Sequence, residues 1–288
     1  MELLKIFGVL TFEELTFLPS QAGFYQAVQE EYKKLFPRSE IDICNNSKSS
    51  SDVKCADYSM EASTTTKKYL IKNSNYIRIE YSKYCQMNFI VSEIPLKNRQ
   101  ADFWSMVFKK SGIVVMLADA GCWSPSIGDY MIVDDFKITT INVVIKCQYL
   151  EATVLILNTT SGKVNQVFCY LYFQKLMFGV PKSELMYLEF LNVVRQKYEI
   201  LRQHDFYYNY IIVHSDSDQG EINTFCAEIS GMQSLKETGK VNLFNIVKDI
   251  VSCRPLSVFL LNQYMLCYKL LAYHVQQQYV NSILNKIK

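Results

Sequence analysis

A strand that runs directly into a polar turn and a helix is the feature that most constrains this chain. Residues 210–214 read Tyr-Ile-Ile-Val-His, a short apolar run that is typical of a strand buried in a sheet. Polar residues follow from 215 to 221, and helical spacing begins at about Ile222. In α/β folds such a turn gathers backbone N–H groups at a helix N-terminus, where anions bind. The segment therefore predicts an α/β fold in which this turn has the shape of a phosphate cradle.

The remaining patterns predict one α/β domain with a highly twisted mixed sheet and helices on both sides. We expect residues 1–40 to be an N-terminal helical segment packed on a domain that spans 41–288. Residues 1–10 are interpreted as the start of a helix, residues 11–36 as an amphipathic helix ended by Pro37, and residues 38–66 as exposed loop. Strands are predicted at 76–81, 88–91, 113–117, 131–133, 138–147, 153–157, 164–172 and 210–214. Later helices are predicted at 183–202, from 222, at 241–253 and at 260–287.

Composition excludes several classes of protein. The 288 residues are 49% hydrophobic and 20% charged, which supports a full core rather than disorder. A net charge of +2 is too mild to indicate nucleic acid as the partner, and no apolar run reaches the ~18 residues of a membrane span. The nine cysteines contain no CxxC pair, so we expect reduced thiols and a cytoplasmic protein.

The charge of the predicted cradle opposes anion binding. Asp216, Asp218 and Glu221 fall within six residues, and no Lys or Arg lies near them in sequence. A phosphate among these carboxylates would be repelled by several kcal/mol at an intermediate dielectric. Each close pair of like charges contributes about 4 kcal/mol of this repulsion. The residues alone therefore indicate an anion-binding scaffold that has become hostile to anions.

The same segment resembles the signature of tyrosine-specific protein tyrosine phosphatases, which is His-Cys, five residues, Arg, Ser or Thr, then Gly-Thr-Phe. Here His214 is followed by Ser215 at the cysteine position, and Glu221 stands at the arginine position. Further stretches resemble the family in the same order along the chain: residues 88–96, the Phe103-Trp104 helix, Val114–Leu117, Phe178–Pro181, Arg254, Asn262-Gln263-Tyr264 and Tyr268. The resemblance covers about residues 24–275 and implies the family's single-domain fold.

The resemblance also implies that each catalytic role is lost. The family's nucleophile is a cysteine thiolate and its arginine clamps the phosphate, whereas Ser215 and Glu221 offer a hydroxyl and a negative charge. Met177 replaces the general acid, and Phe259 replaces the glutamine that positions water. The substrate-stacking tyrosine aligns with Cys55. The degenerate phosphate loop comprises His214, Ser215, Asp216, Ser217, Asp218, Gln219, Gly220 and Glu221.

Several interpretations of this loop remain open. It is either a relic held by packing, a substrate trap in which Ser215 binds without turnover, or an acidic pocket for a basic side chain or a divalent ion. Lys175 is a further hypothesis, since it could pair with Glu221 or Asp218 and close the cleft. Lys97-Asn98-Arg99 spells the family's substrate-loop tripeptide, but its position indicates a surface loop.

These residues predict a pseudophosphatase that functions by binding an unidentified protein as a monomer, without cofactor, metal, nucleic acid or membrane. The alternative is a phosphotyrosine-binding trap or a residual phosphatase. The amino end, with Phe17-Leu18 and Glu30-Glu31-Tyr32, resembles tyrosine phosphatases of insect polydnaviruses of the bracovirus type. This resemblance implies a virulence protein in the host-cell cytoplasm that alters host signalling or immunity.

Overall fold

A mixed sheet forms the centre of the protein. The computed structural model describes residues 8–37, 75–82, 85–117, 122–174, 180–204, 210–215, 219–254 and 259–287. Within these ranges, eight strands form one sheet in the order β2-β3-β9-β4-β8-β7-β6-β5. Their bounds are β2 Asn75–Ser82, β3 Cys85–Glu93, β4 Ser111–Met116, β5 Tyr130–Val133, β6 Phe136–Ile145, β7 Tyr149–Asn158, β8 Val164–Tyr172 and β9 Tyr210–Ser215.

The two halves of this sheet differ in direction and in burial. β3, β9, β4 and β8 pair in parallel, and the antiparallel hairpins β8-β7-β6-β5 extend the sheet to one side. All six residues of β4 are buried, as expected for a parallel strand covered on both faces. β5 alternates between exposed and half-buried residues because only one of its faces meets the core.

Helices cover both faces of the sheet. The helices are α1 Phe12–Phe17, α2 Phe24–Leu35, α3 Gln100–Lys110, α4 Glu184–His204, α5 Gln219–Thr238, α6 Leu243–Cys253 and α7 Leu261–Ile287. On one face, α3 packs Phe103, Trp104 and Val107 against strands of the sheet. On the other face, the remaining helices enclose a larger cluster that includes Phe190 and Phe225. The predicted fold class is confirmed, because the described residues form an α/β domain in which helices cover both faces of a mixed sheet.

The N-terminal segment corrects the sequence prediction. The single helix expected over residues 11–36 is instead α1, a 3₁₀ turn at Leu18–Ser20 and then α2. Gly23 adopts a positive φ of 85° at the start of α2, a conformation that suits glycine and redirects the chain. The earlier residues 1–7 and the loop 38–66 lie outside the described residues.

Two short strands also replace expected helix. Leu10–Thr11, here β1, pairs antiparallel with Lys240–Val241, here β10. Leu10 was expected in a helix and Val241 at a helix start, but tertiary pairing overrides these local preferences. Thr11 then begins α1 with a capping box, because its hydroxyl accepts from the Glu14 N–H while the Glu14 carboxylate accepts from the Thr11 N–H. Among the described residues, no helix has both the length and the apolar composition that crossing a membrane requires.

Candidate functional site

The site is built at the carboxyl end of the central parallel strands. β9 ends at Ser215, next to the end of β3 on one side and of β4 on the other. The Leu117 N–H donates to the His214 carbonyl at 2.9 Å, which fixes this end of the sheet. α5 then begins at Gln219, so its N-terminus faces the strand end. This is the strand-to-helix arrangement that the sequence predicts.

Ser215 and Glu221 are brought together in the interior. Ser215 is 5% exposed and Glu221 is 2% exposed. The Ser215 Oγ donates to Glu221 Oε2 at 3.3 Å. The hydroxyl at the nucleophile position is therefore engaged by the carboxylate at the clamp position, and a phosphate at this strand end would meet that carboxylate.

Glu221 is one of several groups that act on Tyr187 of α4. Burial, followed by the nearby Tyr172, Glu228 and Glu221, raises the pKa of Tyr187 well above its ordinary value. Glu221 itself lies in the first turn of α5 and is buried. The side chain at the clamp position thus belongs to a buried polar group rather than to an open cleft.

His214 is a neutral, packed residue behind the turn. It is fully buried, and this burial lowers its pKa to about 4. Its ring meets Phe103 edge-on at 5.7 Å between centroids, and Nε2 lies 4.0 Å from the Cys122 Sγ. At neutral pH the imidazole is uncharged and supports the strand by packing.

A side chain at Gly220 would displace the Gln263 side chain. A Cβ at this residue would lie 2.5 Å from Nε2 and 2.6 Å from Oε1 of Gln263. Gln263 is fully buried, and its Oε1 accepts from the Leu260 N–H at 2.8 Å. From sequence, Gln263 is predicted as part of a motif, and no contact is predicted for it. The close approach of α5 and α7 is what explains the glycine.

Arg254 supports the first turns of α5. Its Nη1 donates to Asn223 Oδ1 at 2.7 Å, and Arg254 and Asn223 are both buried. Asn223 stands at the family's glycine position, and its side-chain amide, which a glycine lacks, is hydrogen-bonded to Arg254. This Asn223–Arg254 contact was missed by the sequence analysis, which quoted Arg254 only as a motif match.

Phe259 stands where the family has its water-positioning glutamine, and it is 1% exposed. Its carbonyl accepts from the Tyr32 hydroxyl at 2.7 Å, and its ring stacks with Phe36. Nearby, buried Glu31 accepts from the hydroxyls of Tyr264 and Tyr268. Residue 259 therefore joins the aromatic contact between α2 and α7 and presents no polar side chain to the site.

Other predicted site residues lie outside the described residues. These are Met177 and Lys175 of the acid-loop position, Cys55, and Asp216, Ser217 and Asp218 of the turn. Gln219 begins α5, but only its backbone is described. The proposed Lys175–Glu221 pair therefore stays a prediction. In the parts of the chain that are described, no group of three or more His, Cys, Asp or Glu could hold a metal ion.

An open cavity lies beside the site, at the N-termini of α4 and α7. Its volume is about 480 Å³. The Lys269 Nζ and Glu184 Oε1 are 3.8 Å apart at its rim. Its walls are Tyr25, Val180, Glu184, Leu260, Leu261, Asn262, Met265, Leu266 and Lys269.

Fold, signature position and helix arrangement together define a phosphatase-type domain. The family described as protein-tyrosine phosphatase matches residues 45–273, and the chain belongs to that family. It is 26% identical over 310 aligned residues to Tyrosine phosphatase H2 of Microplitis demolitor bracovirus (isolate Webb), covering 98% of this chain and 92% of the relative.

Two further relatives show how widely the similarity extends. Human Tyrosine-protein phosphatase non-receptor type 9 is 26% identical over 276 residues, which are 85% of this chain but only 45% of that protein. Tyrosine phosphatase H3 of the same bracovirus is 24% identical over 195 residues, covering 64% of this chain and 61% of the relative. The chain is thus similar both to viral phosphatases and to less than half the length of a human protein.

Proposed function

We propose that this chain is a tyrosine-phosphatase-fold protein without phosphate hydrolysis that functions by binding another protein. The observation that carries the proposal is the buried contact between Ser215 and Glu221 at the carboxyl end of β9. The Glu221 carboxylate takes the position of a cation that would bind substrate, so it repels the phosphate that the Ser215 hydroxyl would have to attack.

Loss of the other roles supports the same proposal. Phe259 is buried among aromatic rings and cannot position water. Met177 leaves no acidic side chain at the position that protonates the departing tyrosine. Effects of residues that act as a unit are not additive, but nucleophile, clamp and acid together leave no chemical step on which turnover could proceed.

A phosphotyrosine trap is the second candidate, because a serine in place of cysteine can keep binding while ending turnover. It requires a positive group at the cradle, and the buried Glu221 carboxylate opposes it.

The similarity to bracovirus Tyrosine phosphatase H2, over nearly the full length of both chains, supports a viral origin. We therefore propose a virulence protein in the cytoplasm of host cells that alters signalling or immunity.

Turnover and calorimetry on the same preparation test the catalytic part. Wild-type protein, Glu221→Gln and Ser215→Ala are assayed with para-nitrophenyl phosphate and titrated with phosphotyrosine peptides, beside an active phosphatase. We expect neither turnover nor heat from the wild type. Turnover that Ser215→Ala abolishes would overturn the proposal. Binding heat without turnover would establish the trap instead, and heat that appears only in Glu221→Gln would identify the carboxylate as the barrier to anions.

Comparison of wild type with Ser215→Ala in insect cells tests the binding part. If the protein functions through its surface, both forms alter tyrosine phosphorylation of host proteins to the same extent. An effect that requires the Ser215 hydroxyl would place function back in the cradle.

A further inference from the structure

β5 is the outermost strand on one side of the central sheet. In the described parts of the chain it pairs with β6 alone, in a register that runs from Tyr130↔Thr139 to Val133↔Phe136. Met131 and Val133 pack against the core cluster that α3 covers. β5 is therefore held to the protein through one edge and one face, and its other edge ends the sheet.

Alternate residues of β5 direct their backbone groups away from β6. Val133 and Phe136 close a two-residue turn, and such a closing pair exchanges both of its hydrogen bonds. The same alternation reaches Asp129, whose carbonyl accepts from an N–H of β6 at 3.0 Å. The N–H and C=O groups of Tyr130 and Ile132 therefore face the open edge of the sheet.

The same two residues carry the exposed apolar side chains of β5. Tyr130 and Ile132 are 60% and 65% exposed. Lys137 of β6 stands opposite Ile132, and its Nζ lies 4.5 Å from the centroid of the Tyr130 ring. Residues 130–133 contain no Lys, Asp, Glu or Pro, which commonly protect an edge strand from pairing. Backbone and side chains thus fit the same occupant, an extended chain with apolar side chains at alternate positions.

Three carboxylates narrow the choice of occupant. Asp129 precedes β5, Asp134 and Asp135 follow it, and all three are exposed. If two copies of β5 paired antiparallel about Met131, Asp129 of one copy would lie opposite Val133 of the other, next to its Asp134. Like charges would then meet at both ends of the pair, which opposes a second copy of this chain. Lys or Arg side chains at these places would be attracted instead.

We propose that β5 binds an extended segment of the partner protein as an added strand, with apolar residues at its centre and basic residues at its ends. The apolar side chains contact Tyr130 and Ile132, and the basic ones lie near the flanking aspartates. Residues 129–133 extend about 17 Å, so a short segment suffices. Such a contact buries less than about 1,200 Å², and the complex is reversible. This inference rests on the proposed function, because it names the surface and the partner chemistry which that function requires.

Selection from a library of random peptides displayed on phage, with the full chain as the target, tests this edge. The enriched peptides are synthesised, and their Kd is measured for wild type and variants. Ile132→Pro removes the N–H that faces the edge, at a place where an edge strand tolerates proline. Ile132→Thr is the matched control, because it keeps that N–H and a β-branched side chain. Denaturant unfolding checks that both variants fold.

We expect the enriched peptides to alternate apolar residues at the centre and to carry Lys or Arg at the ends. Their affinity should fall at least about tenfold in Ile132→Pro, as the loss of a backbone hydrogen bond predicts, and less in Ile132→Thr. Asp134→Asn/Asp135→Asn should weaken binding and reduce its dependence on salt. Asparagine tolerates the positive φ of 52° at position 134.

A second measurement leaves the protein unchanged. Each enriched peptide is methylated at alternate backbone nitrogens, in the two possible patterns. Only the pattern that blocks the N–H groups facing β5 should abolish binding, because the other nitrogens point away from the sheet. Equal effects of the two patterns would show that the peptide does not bind as a strand.

Two further results would overturn the inference. Peptides that bind wild type and Ile132→Pro equally well would place the contact elsewhere, and the proposed function would stand because the chain would still bind a protein segment. A selection that enriches no peptide would leave β5 without the affinity we infer. The proposed function would then be decided separately, by the turnover assay and the comparison in insect cells.

Discussion

The turn between β9 and α5 and the interior beneath it have diverged to different extents. Beneath the turn, Trp104 and Phe225 are fully buried, and both stand at positions that resemble the family. At the end of β9 and the start of α5, Ser215, Glu221 and Asn223 stand where the family signature has cysteine, arginine and glycine. The difference supports the view that this fold rests on apolar burial and close helix packing, which do not require the residues at the turn.

The largest expected effect lies in the interior. Trp104→Ala removes a fully buried side chain that contacts Phe103 and donates from Nε1 to the Cys122 carbonyl at 3.2 Å. We expect a loss of about 3–5 kcal/mol in the free energy of unfolding, measured with denaturant. Tyr130→Ala, at a residue that is 60% exposed, is the control and should change little. A small loss at Trp104 would contradict the view that this interior carries the fold.

The second prediction tests the close contact between Gly220, at the start of α5, and Gln263 of α7. Gly220→Ala places a methyl group against Gln263, which is fully buried and accepts a hydrogen bond from the Leu260 N–H. We expect a loss of about 1–3 kcal/mol by overpacking, even though alanine favours the helix. Unfolding of Gly220→Ala, Gln263→Ala and the double variant gives the coupling. Additive losses would show that Gln263 is not what excludes a side chain at position 220.

The sequence predicted the interior better than the contacts around the turn. Periodicity located β9 and α5, because a buried apolar run and a helical pattern are local signals. It did not locate the Gly220–Gln263 approach or the Asn223–Arg254 bond, because each joins elements far apart along the chain. It also missed the break at Gly23, where tertiary packing of α1 and α2 overrides a continuous amphipathic pattern.

The charge at the turn was predicted, but its burial was not. Asp216, Asp218 and Glu221 lie within six residues, so an acidic cradle could be inferred without coordinates. The burial of Glu221 depends on how α5 packs in the fold, which the residues around Glu221 in sequence do not reveal. The same packing buries Glu228, two turns further along α5.

The third prediction concerns Glu228. No described N–H or O–H group donates to its carboxylate. The nearby Cys267 thiol lowers the pKa of Glu228, but burial has the larger effect. Burial raises the pKa of Glu228 well above the ordinary value. The folded state therefore keeps a proton that the unfolded state loses above about pH 4.3, so stability falls as pH rises toward the folded-state pKa.

Glu228→Gln should remove this dependence. We expect the wild-type free energy of unfolding to decline by at most about 1.4 kcal/mol per pH unit for this group, and the variant to decline less. Histidine ordinarily titrates around pH 6.5, and this contribution is common to wild type and variant, so the difference between their pH profiles isolates Glu228. Glu189→Gln, at an exposed carboxyl group, is the control. Parallel pH profiles for wild type and Glu228→Gln would show that Glu228 does not stay protonated in the fold.

The smallest expected effect lies at the turn itself. Ser215→Ala removes one hydrogen bond of 3.3 Å to Glu221, and Glu221 has further interactions within the protein. We expect the free energy of unfolding to fall by about 1 kcal/mol, because a single hydrogen bond contributes about that much net. Denaturant unfolding beside Trp104→Ala gives the ratio of the two losses. If Ser215→Ala costs as much as Trp104→Ala, the hydroxyl has become a structural anchor of the strand end. Selection for stability would then explain the residues at the turn. The absence of a catalytic constraint alone would not explain why they differ from the family.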